Sequence, residues 1–361
     1  MTVIDEHARR RAPAVSLHLE PEVLTILGTY KCTAMCENCC FSSNPYITQR
    51  LDLDQILAFI TAGARYSNSK MVVFSGGECF LLRSDLNTAI EHATSLGLCT
   101  RCVTNGYWAK RMAHGRTRLA GLIDSGLKEL NISTGDFHQR WVSQDAVVNA
   151  ACLAVELGIT ETVVVVEMQS ERRVTGATLA EDSRVRALLA DPAARFRILE
   201  SPWIPMDHEA VIDQPDEVLL SRRTLHLRGG CSTIMKTLVL TPDNKVGSCC
   251  GLTREEIPEL NSAWDGDSLD PIVDADAHDF MKIWLYVDGP ERILAWAATI
   301  APEIRWEGRY AHHCHACLTL FKDPLVRRVI RENYRQRVDD VVARFTTKLR
   351  IQQGLKHSAS E

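Results

Sequence analysis

The sequence predicts an α/β fold built on a parallel sheet. Three observations predict it. Short apolar segments alternate with segments whose apolar residues recur every three or four positions, from about residue 20 to residue 200. Several of the apolar segments end on a compact polar motif, as strands do where an α/β sheet places its active site. The chain has 361 residues, 45% hydrophobic and 24% charged, enough for one large core and a smaller one.

The elements follow in order. EVLTILGTY (22–30) reads as a buried strand. LDLDQILAFITAGARY (51–66) places Leu53, Ile56, Leu57, Phe59 and Ile60 at helical spacing, with Asp52 near the start. KMVVFSGGE (70–78) is a strand ending in two glycines, and RSDLNTAIEHATSLG (83–97) is a helix stopped by its glycine. LCTRCVTNG (98–106) is a third strand, followed by a helix near 117–125 and the strand LKELNIST (127–134). A helix near 145–157, the strand TETVVVVEM (160–168), a helix near 178–189 and the strand RFRILES (195–201) complete the series. Six strands with intervening helices imply a parallel sheet with right-handed crossovers, either an open doubly wound sheet or a partial (β/α) barrel.

SPWIPMD (201–207) ends this unit with two prolines. The sequence divides into an extension at 1–20, the β/α unit at 21–205, a loop-rich, cysteine-bearing unit at 206–323, and a basic amphipathic helix at 324–361. In the last, Val326, Ile330, Tyr334, Val338, Val341, Phe345 and Leu349 form an apolar stripe beside Arg327, Arg328, Arg331 and Arg335. Such a helix docks on the body or offers a face to an acidic peptide. The net charge of −5 gives no bias toward nucleic acid. MTVIDEHARRRAPAV lacks a secretory apolar region, and no apolar run is long enough to span a membrane, so a cytoplasmic protein is expected. In that reducing compartment, thirteen cysteines point to metal or redox chemistry more than to disulfides.

The densest cysteine stretch, KCTAMCENCC (31–40), directly follows the first strand. Cys32, Cys36 and Cys39 have the spacing C-x3-C-x2-C, and Cys40 competes with Cys39 for third place. Structural zinc takes four ligands and often uses paired C-x2-C knuckles. Three thiolates on one loop fit instead a [4Fe–4S] cluster with one iron left open for chemistry.

Joined to Gly-Gly-Glu one β/α unit later, this pattern resembles the radical S-adenosylmethionine (SAM) superfamily. The resemblance covers residues 22–201 and implies a partial (β/α)6 TIM-like barrel. It also implies an open iron that binds SAM, whose reductive cleavage gives a 5′-deoxyadenosyl radical that takes a hydrogen atom from substrate. An electron donor such as flavodoxin or ferredoxin is implied as partner. By the same resemblance, Gly76 and Gly77 lie along the methionine moiety, Glu78 or nearby backbone accepts from its ammonium, and Asn105 and Ser133 approach the ribose and carboxylate. The sequence departs from the family at Asn38, where an aromatic residue is common, and at Cys79, where proline is common. Cys79 is given no role. Asp136 is read as an N-cap or a ligand contact, and His138 as a base or a structural partner. Cys99 and Cys102 fall on opposite strand faces and are not a metal pair.

A second cysteine set comprises Cys231, then Cys249 or Cys250 after a Pro-Asp-Asn-Lys hairpin turn, then Cys314 and Cys317. Four thiolates close a second cluster, and the arrangement resembles the SPASM and twitch auxiliary-cluster domains. The alternative is a structural zinc with His312, His313 or His315 as a ligand.

The resemblance leads to oxidative modification of a ribosomally synthesised peptide by a maturase. One alternative is a twitch-type dehydrogenase acting on a small alcohol or sugar-like molecule. Another, of a different class, is a non-catalytic iron–sulfur or zinc module.

Overall fold

The computed structural model describes residues 19–252 and 257–359. At its centre lies one nine-stranded sheet, in the order β6-β5-β4-β3-β2-β1-β7-β8-β9. The strands are β1 (Val23–Leu27), β2 (Met71–Ser75), β3 (Cys99–Thr104), β4 (Glu129–Thr134), β5 (Glu161–Met168), β6 (Phe196–Pro202), β7 (Thr237–Leu240), β8 (Lys245–Gly247) and β9 (Asn261–Ala263). β1 to β6 pair in parallel in sequence order, β7 joins parallel to β1, and β8 and β9 follow antiparallel. A doubly wound sheet needs a reversal of strand order among its first strands, and none occurs here, so the six-strand unit is a partial (β/α)6 barrel.

Winding in one direction puts the connecting helices on one face. These are α1 (Leu53–Gly63), α2 (Ser84–Ser95), α3 (Met112–Asp124), α4 (Gln144–Glu156), and two short pieces, α5 (Gly176–Leu179) and α6 (Ser183–Ala190), where one helix was expected. Leu24 and Ile26, Val72 and Phe74, Leu130 and Ile132, and Val164 and Val166 meet Ile56, Phe59, Leu86, Leu122 and Leu153 in one buried core. Burying each such side chain contributes roughly 2 kcal/mol. The opposite face is mixed: Leu27 and Val239 are buried on it with Tyr30, while its β3 to β6 part carries half-buried and exposed charged residues. There Arg101 donates to Glu129 at 2.6 Å and Arg197 to Glu161 at 2.8 Å. Cys99 lies on this face and Cys102 in the core, as the strand period requires.

Within residues 206–323, β7 to β9 extend the barrel sheet beyond β1. The rest of the described residues there is loop-rich, as expected, with four α-helices set in it. It contains α7 (Asp270–His278), α8 (Phe280–Asp288), α9 (Pro290–Ile300) and α10 (His313–Lys322). The tail is two helices, α11 (Pro324–Asn333) and α12 (Arg335–Ala359), rather than one. Its stripe docks: Val326, Val341, Phe345 and Leu349 are buried with Trp284, Leu294 and Leu318 in a second core. The extension at 1–20 falls almost wholly outside the described residues.

Candidate metal and cofactor site

Each strand of a parallel sheet ends at the same edge, and there the polar motifs meet. A cavity of about 250 Å³ is lined by Cys32, Cys36, Cys39 and Cys40, by Ser75, Gly76 and Gly77 after β2, by Asn105 after β3, and by Ser133 and His138 around the end of β4. Apart from Glu78, all the residues expected to contact cluster or cofactor face one space.

The cysteine loop is held by its own turns and by the neighbouring strand ends. The Cys39 amide donates to Cys36 O at 3.2 Å, and the Ser43 amide reaches Cys39 Sγ at 3.4 Å. Gly77 N donates to Thr29 O at 2.7 Å, and Glu78 N to Lys31 O at 3.0 Å. The loop therefore rests directly on the glycine pair. A Cβ on Gly77 would run into Lys31 O and one on Gly76 into Thr29 O, and Gly76 has φ +113°.

Burial pushes the Cys32 and Cys36 thiols up to about 12, and repulsion from neighbouring cysteines and from Glu78 or Glu167 adds to it. Thiols so placed ionise only against a strong local positive charge, which a bound metal centre supplies. Three clustered soft donors beside a small cavity fit a cluster with one free coordination position.

Glu78 does not face the cavity in the manner expected. It is buried, and its carboxylate accepts from Phe80 N at 3.0 Å, Asn105 N at 2.9 Å and Thr104 Oγ1 at 2.8 Å. Burial pushes it up to about 7 against these bonds. Its structural effect is to hold the end of β3. Asn105 in turn donates to Thr33 Oγ1 at 3.0 Å and lies 3.6 Å from Cys32 Sγ, so it braces the cysteine loop. Asp136 caps no helix. Ser143 is the N-cap of α4, and Asp136 accepts from Arg173 N at 2.9 Å.

Glu167, at the end of β5, was missed from the sequence. His138 Nδ1 lies 3.2 Å from its carboxylate, Phe137 N donates to it at 2.9 Å, and Asn38 Nδ2 donates at 2.6 Å. Burial alone would push Glu167 up, but these partners outweigh it and hold the carboxyl below the ordinary range. The departure at Asn38 thereby gains a reason: its amide ties the cysteine loop to β5 by donating to a carboxylate, which a phenyl ring cannot do. The only sequence signal was a charge closing an otherwise valine-rich strand.

The second cysteine set also converges. Cys249, Cys314 and Cys317 are buried in the second core, with Cys231 packed against it. Burial pushes the Cys314 and Cys317 thiols well up, and repulsion from Cys249 adds the next largest share to each. Cys250 is more exposed. The Cys40 thiol, pushed up to about 12 by burial, is raised further by Cys39 and by Cys250, so the two cysteine regions approach each other there. His312, His313 and Cys314 also offer ligand atoms within 4.8 Å of one another. Burial lowers both histidines, His312 to about 4, which keeps them neutral.

No helix among the described residues is long and apolar enough to cross a membrane. A scan of known protein families finds no match. The chain is 26% identical over 119 residues to YydG of Bacillus subtilis (strain 168), a protein named for peptide biosynthesis. That match takes in 33% of this chain and 37% of YydG, so the chain spans little more than a third of that relative. Among solved structures, it is similar to anSMEcpe with bound AdoMet and the Cp18Cys peptide, with a TM-score of 0.52, 12% identity, and coverage of 91% of this chain and 99% of that one. The complex of anSMEcpe with AdoMet and the Kp18Cys peptide gives a TM-score of 0.51 over 86% and 99%. At such identity the likeness shows the architecture: this chain folds as anSMEcpe does.

Proposed function

We propose that the chain is a radical SAM enzyme that oxidatively modifies a ribosomally synthesised peptide. One observation carries this reading: Cys32, Cys36 and Cys39 share a single cavity with Gly76, Gly77, Asn105 and Ser133 at the carboxyl ends of parallel strands. A [4Fe–4S] cluster bound there supplies the electron that cleaves SAM to the hydrogen-abstracting 5′-deoxyadenosyl radical.

The chain's own residues do the rest. Cys32, Cys36 and Cys39 hold three irons. Gly76 and Gly77 let the backbone approach the methionine moiety, and Ser133 and Asn105 lie toward the nucleoside and carboxylate. Glu78 acts by fixing Asn105. His138, steered by Glu167, is placed to accept a proton as substrate is oxidised. Cys231, Cys249, Cys314 and Cys317 would hold an auxiliary cluster, which would supply an acceptor for an electron from the substrate. Flavodoxin or ferredoxin in the cytoplasm serves as donor. The peptide as substrate is supported by the peptide seated in anSMEcpe and by the naming of YydG.

A specific observation favours a second reading of the C-terminal centre, as zinc held through His312, His313 and Cys314. Anaerobic reconstitution followed by counts of iron, sulfide and zinc separates the two. The same preparation, given dithionite and SAM, is expected to release 5′-deoxyadenosine. No release would leave a non-catalytic metal module. Release coupled to turnover of a small alcohol, with no peptide modified, would favour the dehydrogenase.

A further inference from the structure

The largest cavity described, about 1000 Å³, shares no lining residue with the cysteine cavity. It lies among α8, α9 and α12. Its lining is largely apolar: Trp296 is half-buried there, with the buried Trp284 and Trp306 behind it and Leu225, Ala295 and Ala298 beside it. Two aspartates in it are already satisfied. Arg344 donates to Asp288 at 2.6 Å and to Asp340 at 2.8 Å, and Trp284 Nε1 donates to Asp288 at 2.9 Å. The lining carries four arginines against these two aspartates. Arg337 is shared between Asp340 at 3.1 Å and Asp288 at 3.6 Å, and Arg222 pairs with Glu307 at 3.1 Å. Arg292 donates to a neutral carbonyl, His226 O, at 3.1 Å.

An apolar groove with four arginines against two aspartates, and with Arg292 on no carboxylate, suits a chain that alternates apolar and carboxylate side chains. The protein as a whole is acidic, so this is a local reversal of sign. We infer that the groove docks an acidic, apolar segment of the substrate peptide, away from the residue being modified. The inference rests on the peptide reading above and names a recognition site for it. Binding at a second site raises the effective concentration of the reacting residue at the cysteine cavity.

The test uses the anaerobically reconstituted full chain. The probes are a fluorescein-labelled 12-residue peptide of Glu, Leu and Phe, and its counterpart with Lys in place of Glu. Fluorescence anisotropy is expected to show the acidic peptide binding at least tenfold more tightly, and less so as salt rises. Arg292→Glu reverses a charge, and Thr299→Glu puts a carboxylate into the groove from an exposed position on α9. Each should weaken binding at least tenfold without moving the thermal midpoint. Equal affinity for both peptides, or unchanged affinity in both variants, overturns the inference. So does a groove filled by a second copy of the chain, seen as a dimer that Arg292→Glu splits and a flat anisotropy titration. 5′-Deoxyadenosine formation without peptide, measured on the same samples, is expected to be equal in wild type and variants. Its absence from wild type would sink the enzyme reading while anisotropy still judges the groove.

Discussion

The two cysteine regions solve different problems. The first takes its thiols from one loop, residues 32–39, and sets them at the rim of an open strand edge. The second draws Cys231, Cys249, Cys314 and Cys317 from three separated stretches and sinks most of them in a helical core. A local loop closes cheaply and leaves room for a ligand, whereas distant ligands must wait for the fold and stitch it together. In the proposed function the first region accordingly serves reaction, and the second electron uptake and structure.

The comparison breaks most readily at the thiols. Cys32→Ala, Cys36→Ala and Cys39→Ala are each expected to abolish 5′-deoxyadenosine formation, by a factor on the order of a thousand or more. Cys40→Ala should stay within a few-fold of wild type. Loss on Cys40→Ala with retention on Cys39→Ala would shift the ligand frame by one residue. The other region should behave oppositely: Cys314→Ala or Cys317→Ala should spare SAM cleavage, stop product formation, and lower the thermal midpoint by about 5–10 °C. If all these variants fail alike in cleavage, the division of labour is wrong.

Smaller effects sharpen the contrast. Gly77→Ala should cost roughly 2–4 kcal/mol in denaturant unfolding and weaken SAM binding in calorimetry, because its methyl group meets Lys31 O. Glu78 gives a pH signature. Its folded pKa, about 7, lies above the ordinary carboxyl value, so the folded state binds the extra proton. Its contribution is most favourable below the unfolded pKa and declines as pH rises toward 7, by at most about 3 kcal/mol. Urea unfolding of wild type and Glu78→Gln at pH 5 and pH 8 should therefore differ in slope with pH, the variant being flatter. Asn38→Leu should cost about 1 kcal/mol by losing its bond to Glu167, and should slow cluster loading measured by absorbance.

Much of the barrel was legible because strands such as TETVVVVEM, with helical spacing between them, leave few topologies. The cysteine spacing and the glycine pair were legible for the same reason: their constraints are local. The direction in which Glu78 points was not, since it depends on Thr104 and Asn105, more than twenty residues away. Nor was the tie between Asn38 and Glu167, which spans 129 positions. The short helices α8 and α9 lie inside a stretch read only as loop-rich: Gly289 and Pro290 part them into runs too brief for a helical period to show, although FMKIWLYVD and PERILAWAATI are apolar enough to form a core. That β7 would settle beside β1 followed from no pattern in either strand alone.

That placement has a consequence for biosynthesis. β1, which carries the cysteine loop, lies between β2 and β7, and the amides of Glu22 and Val23 both donate to Lys236 O. As the nascent chain emerges, β1 has only one neighbour until about residue 240 has cleared the exit tunnel. During that interval its far side is an unprotected edge. Iron delivered before then would meet a loop whose supporting strand is half-anchored, so the proposed function carries the expectation that cofactor insertion comes late in maturation.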